Sequence, residues 1–468
     1  MIEEGIFLPG DLHVHTYLSD GSHTLEDVLE NAFCKYNLAW ILISDHGGSF
    51  KRDPYGNLLS EINPDIIRGE LYGRKGYMWR SQSILEFGEP LIAKMQKHYE
   101  NRLVLHGFEL NVPPRGHASV TILDSAEDLA KFAYIFDASD HDHSIVNWPK
   151  HNQTEEDALK AVEYLQKNYP DSSFFIFNHP SAYKAFTPRI IRNLHDQAED
   201  VVNGFEGMPG HQYRPVRGSY MYEKGNDWQL HRTYGGADYM LAKVGGLWDS
   251  LLGEGRRFFV FGNSDFHQAG SEYDPYPGEY TKTYLYFREF TRKELVQSIK
   301  KGRSFVVTGD LIEDLHFSLR TDNSLASLGE SLETEKPLVK LKVKLKANRE
   351  RKPHHIDLIG GRVGKRYHKE DSLYDSDTNP TTEILLRIKL SEMRELSDGY
   401  YEYEKEIKLP FESGYFRLRG TNNPPNTPYE TDKEGNPLID DLPYRPNNKE
   451  VALRDLWFYS NPIFYKLK

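Results

Sequence analysis

The stretch Gly10-Asp11-Leu12-His13-Val14-His15-Thr16-Tyr17-Leu18-Ser19-Asp20-Gly21 decides how this chain folds and what it can hold. It follows the apolar run Ile6-Phe7-Leu8, so the chain enters it as a strand, and alternate residues of a strand face one side. His13 and His15 therefore point the same way, a spacing that lets two imidazoles grip one ion. A single His-x-His pair is more often two ordinary polar residues, and its weight depends on what the rest of the chain offers.

Further along, short apolar runs each lead to an ionisable or metal-capable residue. Residues 40–43 lead to Ser44-Asp45-His46, residues 103–108 to Glu109, 174–177 to Asn178-His179, 201–205 to Glu206, and 257–262 to Asp265 and His267. Helical stretches separate them, one beginning near Thr24 and others over 90–99 and 154–168. Such alternation predicts an α/β fold with a parallel sheet, and barrels of parallel strands gather their sites at the carboxyl ends of the strands. Beyond Gly309 the pattern changes to alternating strands over 338–345, 356–359, 382–390, 400–409 and 414–418, with charged, turn-rich connections. The expected division is a catalytic unit over residues 1–313 and an all-β sandwich over 314–468.

The chain has 468 residues, ample for more than one core. Its 58 basic and 70 acidic side chains give a net charge of −12, which argues against nucleic acid gripped by basic patches. The alternation Val-Lys-Leu-Lys-Val-Lys-Leu-Lys over 339–346 reads as a half-buried strand with a solvated lysine face. The one cysteine, Cys34, excludes an internal disulfide and is expected to pack as a small apolar residue. No signal-like amino terminus and no long apolar run occur, so the expectation is a cytoplasmic protein without a membrane segment.

A hydrolytic site with two or three divalent ions needs neutral imidazoles and a carboxylate able to bridge. His13, His15, Glu109 and Asp265 can surround one ion. Glu109 can lean onto a second held by His117 and His179, and Asp20, His46 and His267 supply a third position or orient the others. Zinc, manganese and iron all suit such ligands. His141 and His143 read as a solvated loop, and His106 as a satisfied histidine inside a strand.

In order and type, the opening Asp-Leu-His-Val-His motif, Ser44-Asp45-His46, Gly107-Phe108-Glu109, Asn178-His179-Pro180 and Ser264-Asp265-Phe266-His267 resemble the PHP family, named for polymerase and histidinol phosphatase domains. The resemblance implies a distorted TIM-like barrel of about seven β/α units. Gly116-His117 after Glu109, the segment Gly302-Arg303-Ser304-Phe305-Val306-Val307-Thr308-Gly309 and the terminal Ser460-Asn461-Pro462-Ile463 are most similar to the branch that includes carbaryl-type hydrolases.

The expected activity is hydrolysis of a small-molecule phosphoester by a metal-activated water, with carbamate or carboxylic ester hydrolysis as the alternative. A non-catalytic binding protein is a third reading, disfavoured because every ligand type is present. Asp265 would ligate and accept the water proton, while His267 or His211 would protonate the leaving group. Arg115, Arg214 and Arg217 are candidates for phosphate oxygens, and Glu206 for a substrate-facing role. The aromatic and basic insertion over 69–83 would shape the pocket or cover it, and the β region would flank the barrel or support a homo-oligomer.

Overall fold

The computed structural model describes residues 5–62, 70–71, 74–182, 186–210, 233–269, 274–440 and 454–468. Runs of apolar, β-branched and aromatic residues form strands where their pattern predicts them, at Trp40–Ile43, Leu103–His106, Ser173–Asn178, Val202–Pro209 and Phe259–Asn263. They belong to two sheets. In the first, Ile6–Asp11, Trp40–Ile43 and Leu103–His106 are parallel neighbours. In the second, Ser173–Asn178, Val202–Pro209 and Phe259–Asn263 are parallel. Leu12, Leu42 and Leu105 from one side meet Phe174, Ile176, Phe259 and Phe261 from the other in one apolar core.

The architecture is mixed α/β with several sheets, and the parallel order is not universal. Phe108–Asn111 and His117–Ile122 pair antiparallel as a hairpin that turns at Gly116 (φ +91°), and the second strand then runs antiparallel to Ser173–Asn178. Five intervening residues are too few for the crossover that parallel neighbours require. Thr281–Phe287 likewise lies antiparallel against Ile6–Asp11.

The first sheet runs on through Ser304–Thr308 and Trp457–Ser460 to Ser413–Thr421, so residues on both sides of position 313 share it. Facing this part is an antiparallel sheet built on Ile312–Arg320, Leu338–Ala347 and Tyr400–Lys408, across a core that includes Leu315, Leu341, Val343, Ile356, Phe416 and Ile463. Leu338–Ala347 is half-buried as its alternation predicts. Val339, Leu341, Val343 and Leu345 are inside, while Lys340 and Lys342 reach Glu404 and Glu402 at 2.7 and 2.6 Å.

Five helices start on side-chain caps, with the hydroxyls of Thr24, Ser125, Thr154, Thr187 and Thr291 each accepting a backbone N–H in the first turn. The helix from Leu25 widens into a π-turn over Glu30–Lys35, which keeps Ala32 and Phe33 inside and turns Cys34 outward. Cys34 is therefore exposed, with its thiol 3.7 Å from Glu30 Oε2, contrary to the expected packing. Among the described residues no helix is long and apolar enough to cross a membrane.

Candidate metal centre

Beyond Asp11 the chain stays extended, wedged between the residues that follow two other strands. Val14 accepts from Ser44 N at 2.9 Å, and His15 N donates to the Phe266 carbonyl at 2.9 Å. Leu12 and Val14 are fully buried in separate apolar clusters, which fixes the alternation and places the His13 and His15 rings 5.0 Å apart on the shared side. The His46 loop crosses Glu109 through a parallel bridge, and Glu109 N contacts the carbonyls of Ser44 and Asp45. Asp265 (φ 50°) and His179 (φ 28°), each just beyond a strand, occupy left-handed backbone that costs about 1–3 kcal/mol per residue. Non-glycine strain at two predicted ligands marks positions held for their side chains.

Glu109 stands at the middle, fully buried. Its Oε1 lies 3.1 Å from His13 Nε2, 3.2 Å from His117 Nδ1 and 3.4 Å from His179 Nε2. Its Oε2 lies 2.8 Å from His46 Nδ1 and 3.5 Å from His15 Nε2. Asp265 Oδ1 is 3.2 Å from His13 Nε2 and 3.4 Å from His15 Nε2. On the outer side, Asp20 reaches His15, His46 and His267 at 3.7, 3.6 and 3.3 Å. His15 and His267 stack with centroids 4.0 Å apart.

Most of these separations exceed ordinary hydrogen-bond lengths. They match donors sharing an ion: ligands about 2.0–2.2 Å from a zinc-like centre at tetrahedral angles stand roughly 3.3–3.6 Å apart. Buried His15 Nε2, Glu109 Oε2 and His117 Nδ1 have no hydrogen bond of acceptable geometry. A cation could satisfy these three converging atoms, since buried polar groups generally need a partner. Three groupings can each hold an ion: His13, His15 and Glu109; His46, Glu109 and His117; and His15, Asp20, His46 and His267.

The electrostatics follow from this crowding. Burial pushes the Glu109 carboxyl upward, yet His13, His117 and His46 hold it well below the usual carboxylate range. Burial opposes charge on His13 as well, but Glu109, Asp265 and Glu206 raise it well above an ordinary imidazole. His15 moves the other way, down to about 4, through burial and the neighbouring His267 and His46. A neutral imidazole is the ligand form, and His15 is held in it. Against burial, the Asp20 hydrogen bond and the nearby Asp265 lift His267 to about 10.

All nine residues proposed as ligands converge here. The other proposals fare differently. Glu206 has no exposed surface and so does not take the substrate-facing position expected of it. It is fully buried behind His13, with Oε1 3.2 Å from Nδ1 and Oε2 accepting from His179 N at 2.9 Å. Arg115 is exposed on the hairpin turn. His211, Arg214 and Arg217 lie outside the described residues. His106 is satisfied by Glu89 at 3.0 Å, and His141 and His143 are exposed.

Several positioning residues had no assigned role in the sequence. Asp45 accepts from Thr16 N, Thr16 Oγ1 and Ser19 Oγ at 2.7, 2.8 and 2.6 Å, shaping the loop that carries Asp20. Ser119 donates to Asn178 Oδ1 at 3.0 Å, turning the amide so that Nδ2 donates to Glu109 Oε1 at 2.9 Å. Asp11, raised to about 7 by burial against hydrogen bonds from His13 and Ser264, joins the first strand to the last ligand loop. Asp45 and Asn178 sit inside the motifs read above, which was their signal. Arg80 is buried in the insertion over 69–83 and donates to the carbonyls of His46 and Leu18, both at 2.6 Å. Its partners are distant in sequence, and no local pattern announces it.

Solvent reaches the centre past its least buried members: the side chains of Asp20, His46 and His117 are 58%, 25% and 28% exposed. A cavity of about 570 Å³ borders Asp20 and His46, and a second of about 450 Å³ borders His46 and His117. A larger one, about 850 Å³, lies between Ile6–Pro9 and the strand bearing Lys344, away from the histidines. The two volumes beside the donors, rather than that larger one, adjoin the candidate metal ligands.

No family model matches the chain, and no curated protein matches it. Among solved structures, the crystal structure of PsfC from Pseudomonas syringae PB-5123 is similar at 13% identity, covering 63% of this chain and 89% of that one with a TM-score of 0.30. A likeness of that size carries no argument about fold or chemistry.

Proposed function

We propose that the chain is a metal-dependent hydrolase of the PHP type, acting on a phosphoester at a centre of two or three divalent ions, with zinc, manganese and iron as the candidates. The carrying observation is the sharing of Glu109. Two donor groups, His13 with His15 and His46 with His117, each include this one buried carboxylate, as expected where a single side chain would serve two ions. The orphaned atoms at the same centre support it. On this reading the sheets of residues 1–313 form the distorted barrel of the PHP fold and residues 314–468 a β-sandwich.

Divalent ions there would polarise the ester and bring the pKa of a bound water toward about 7. His13, His15, His46, His117 and His179 would supply the imidazole donors. Asp265 would take up a proton beside the reacting oxygen, and His267, partly exposed and hydrogen-bonding with Asp20, would return one to the leaving group. A substrate would approach over the outer rim, where the His46 and His117 side chains are partly open.

Purified under mild conditions, the protein is expected to carry at least two transition-metal equivalents by elemental analysis. It should hydrolyse members of a panel of phosphomonoesters and phosphodiesters in preference to aryl carbamates and carboxylic esters. Glu109→Ala should lose metal and activity together. Absence of bound metal, with activity unchanged in Glu109→Ala, overturns the proposal; preference for the carbamates moves it to carbonyl esters.

A further inference from the structure

The 570 Å³ cavity beside Asp20 and His46 contains a feature that the metal chemistry does not use. Its wall beyond the donors is formed by Lys51, Arg52, Tyr17 and Tyr77. Arg52 Nη1 donates to the Gly56 carbonyl at 2.7 Å, and the guanidinium lies over the Tyr17 ring at 5.9 Å. Among the described residues neither Arg52 nor Lys51 forms an ion pair.

Asp53, next in the chain, spends its carboxylate on the loop rather than on an ion pair with Arg52. Its Oδ1 accepts from Tyr55 N and Asn57 N at 2.9 and 2.8 Å, and Oδ2 accepts from Asn57 Nδ2 at 2.9 Å. Those bonds fasten the turn over 53–57. Gly56, at φ +87°, closes it against Tyr17, where a Cβ would meet the ring at 3.0 Å. The loop is thus built before any ligand arrives, and it carries two cations that form no ion pair among the described residues. Asp20 is the one carboxylate among the described residues lining the cavity, and it faces His15, His46 and His267. The volume lies within the range of pockets for small organic ligands, and two tyrosines offer an aromatic body its walls.

Building on the hydrolase reading, we infer that this cavity receives the non-reacting end of the substrate, and that this end carries an anionic group recognised by Lys51 and Arg52. The substrate class is an organic phosphoester with a second acidic group, such as a carboxylate, on its leaving-group portion. A neutral alkyl or aryl group would leave both cations to solvent, whereas an anionic one would pair with them. A charge-assisted hydrogen bond to a planar carboxylate suits the guanidinium, and the lysine supplies a second point charge.

The test uses unreactive probes on the metal-loaded full chain: phenylphosphonate against its ortho-, meta- and para-carboxylated derivatives, with dissociation constants measured by calorimetry. At least one carboxylated isomer is expected to bind about tenfold or more tighter than phenylphosphonate. That ratio should fall in Lys51→Gln and approach one in the Lys51→Gln, Arg52→Gln double variant. Because the comparison is between two ligands of the same preparation, the ratio corrects for any loss of folded protein, and exposed Lys51 offers a mild substitution. No gain from the carboxylate in any isomer, no binding of either class of phosphonate, or a gain that persists in the double variant overturns the inference. Hydrolysis of the corresponding phosphates is read in parallel. A carboxylate-dependent gain in binding without turnover of any ester upholds the cavity assignment and overturns the hydrolase reading, whereas turnover without that gain overturns the cavity assignment alone.

Discussion

Glu206 shows how a residue set behind a candidate ligand can govern the chemistry of that ligand. With its carboxylate 3.2 Å from His13 Nδ1, Glu206 holds a proton on that side, so that an ion displacing the other proton would meet the Nε2 lone pair. The second Glu206 oxygen holds His179 N, so one side chain orients two donors, and the strained φ at His179 has a local restraint. Glu206→Gln keeps the shape and removes the charge. Its expected effect is about a 10–100-fold loss of metal affinity, measured by competition with a chromophoric chelator. Unchanged affinity would mean that the His13 tautomer is fixed by something else.

Between elements, Arg80 joins the two loops that follow the first two strands. It reaches Leu18 O on the loop carrying Asp20 and His46 O on the loop carrying His46, while Nη1 donates to Ser83 Oγ at 2.7 Å. Arg80→Met keeps a long apolar stem but leaves both carbonyls without that donor. A loss of roughly 2–4 kcal/mol in denaturant unfolding is expected, accompanied by weaker metal retention. Little change in either would show that water replaces the guanidinium. This clamp was not legible in the sequence, since its partners are reached only through the fold. The histidine motif was legible because strand alternation is local: residue spacing alone sets which way His13 and His15 face. Glu109 could be named from its place after an apolar run, but its contact with five histidines depends on four other segments. The hairpin at Gly116 was missed as an antiparallel exception because apolar runs do not state direction. Cys34 was misread because a π-turn shifts the face that a regular helix would present.

Across the whole molecule, the histidine-bearing part and the C-terminal strands are tied by buried charge. Asp249, on the helix Leu247–Gly253, accepts from Arg417 Nε and Nη2 at 2.8 and 2.7 Å and from Tyr415 OH at 2.9 Å, with Arg417 and Asp249 almost wholly buried. Asn461 adds a second tie, accepting from Val260 N at 2.8 Å and donating to Val260 O at 3.2 Å, so the last strand region is pinned to the strand that leads to Asp265. A buried pair is weak evidence of net stabilisation, but removing one partner strands the other charge in a dry interior. Asp249→Ala is therefore expected to cost about 3–5 kcal/mol. Because the shared sheet crosses position 313, the loss should be felt as one event. Fluorescence of Trp248 and Trp457, both fully buried near these ties, and far-ultraviolet circular dichroism should report coincident denaturant transitions in the parent and the variant. Two separated transitions in the parent would show that residues 314–468 hold together independently, and would limit the role of Asp249 to local packing.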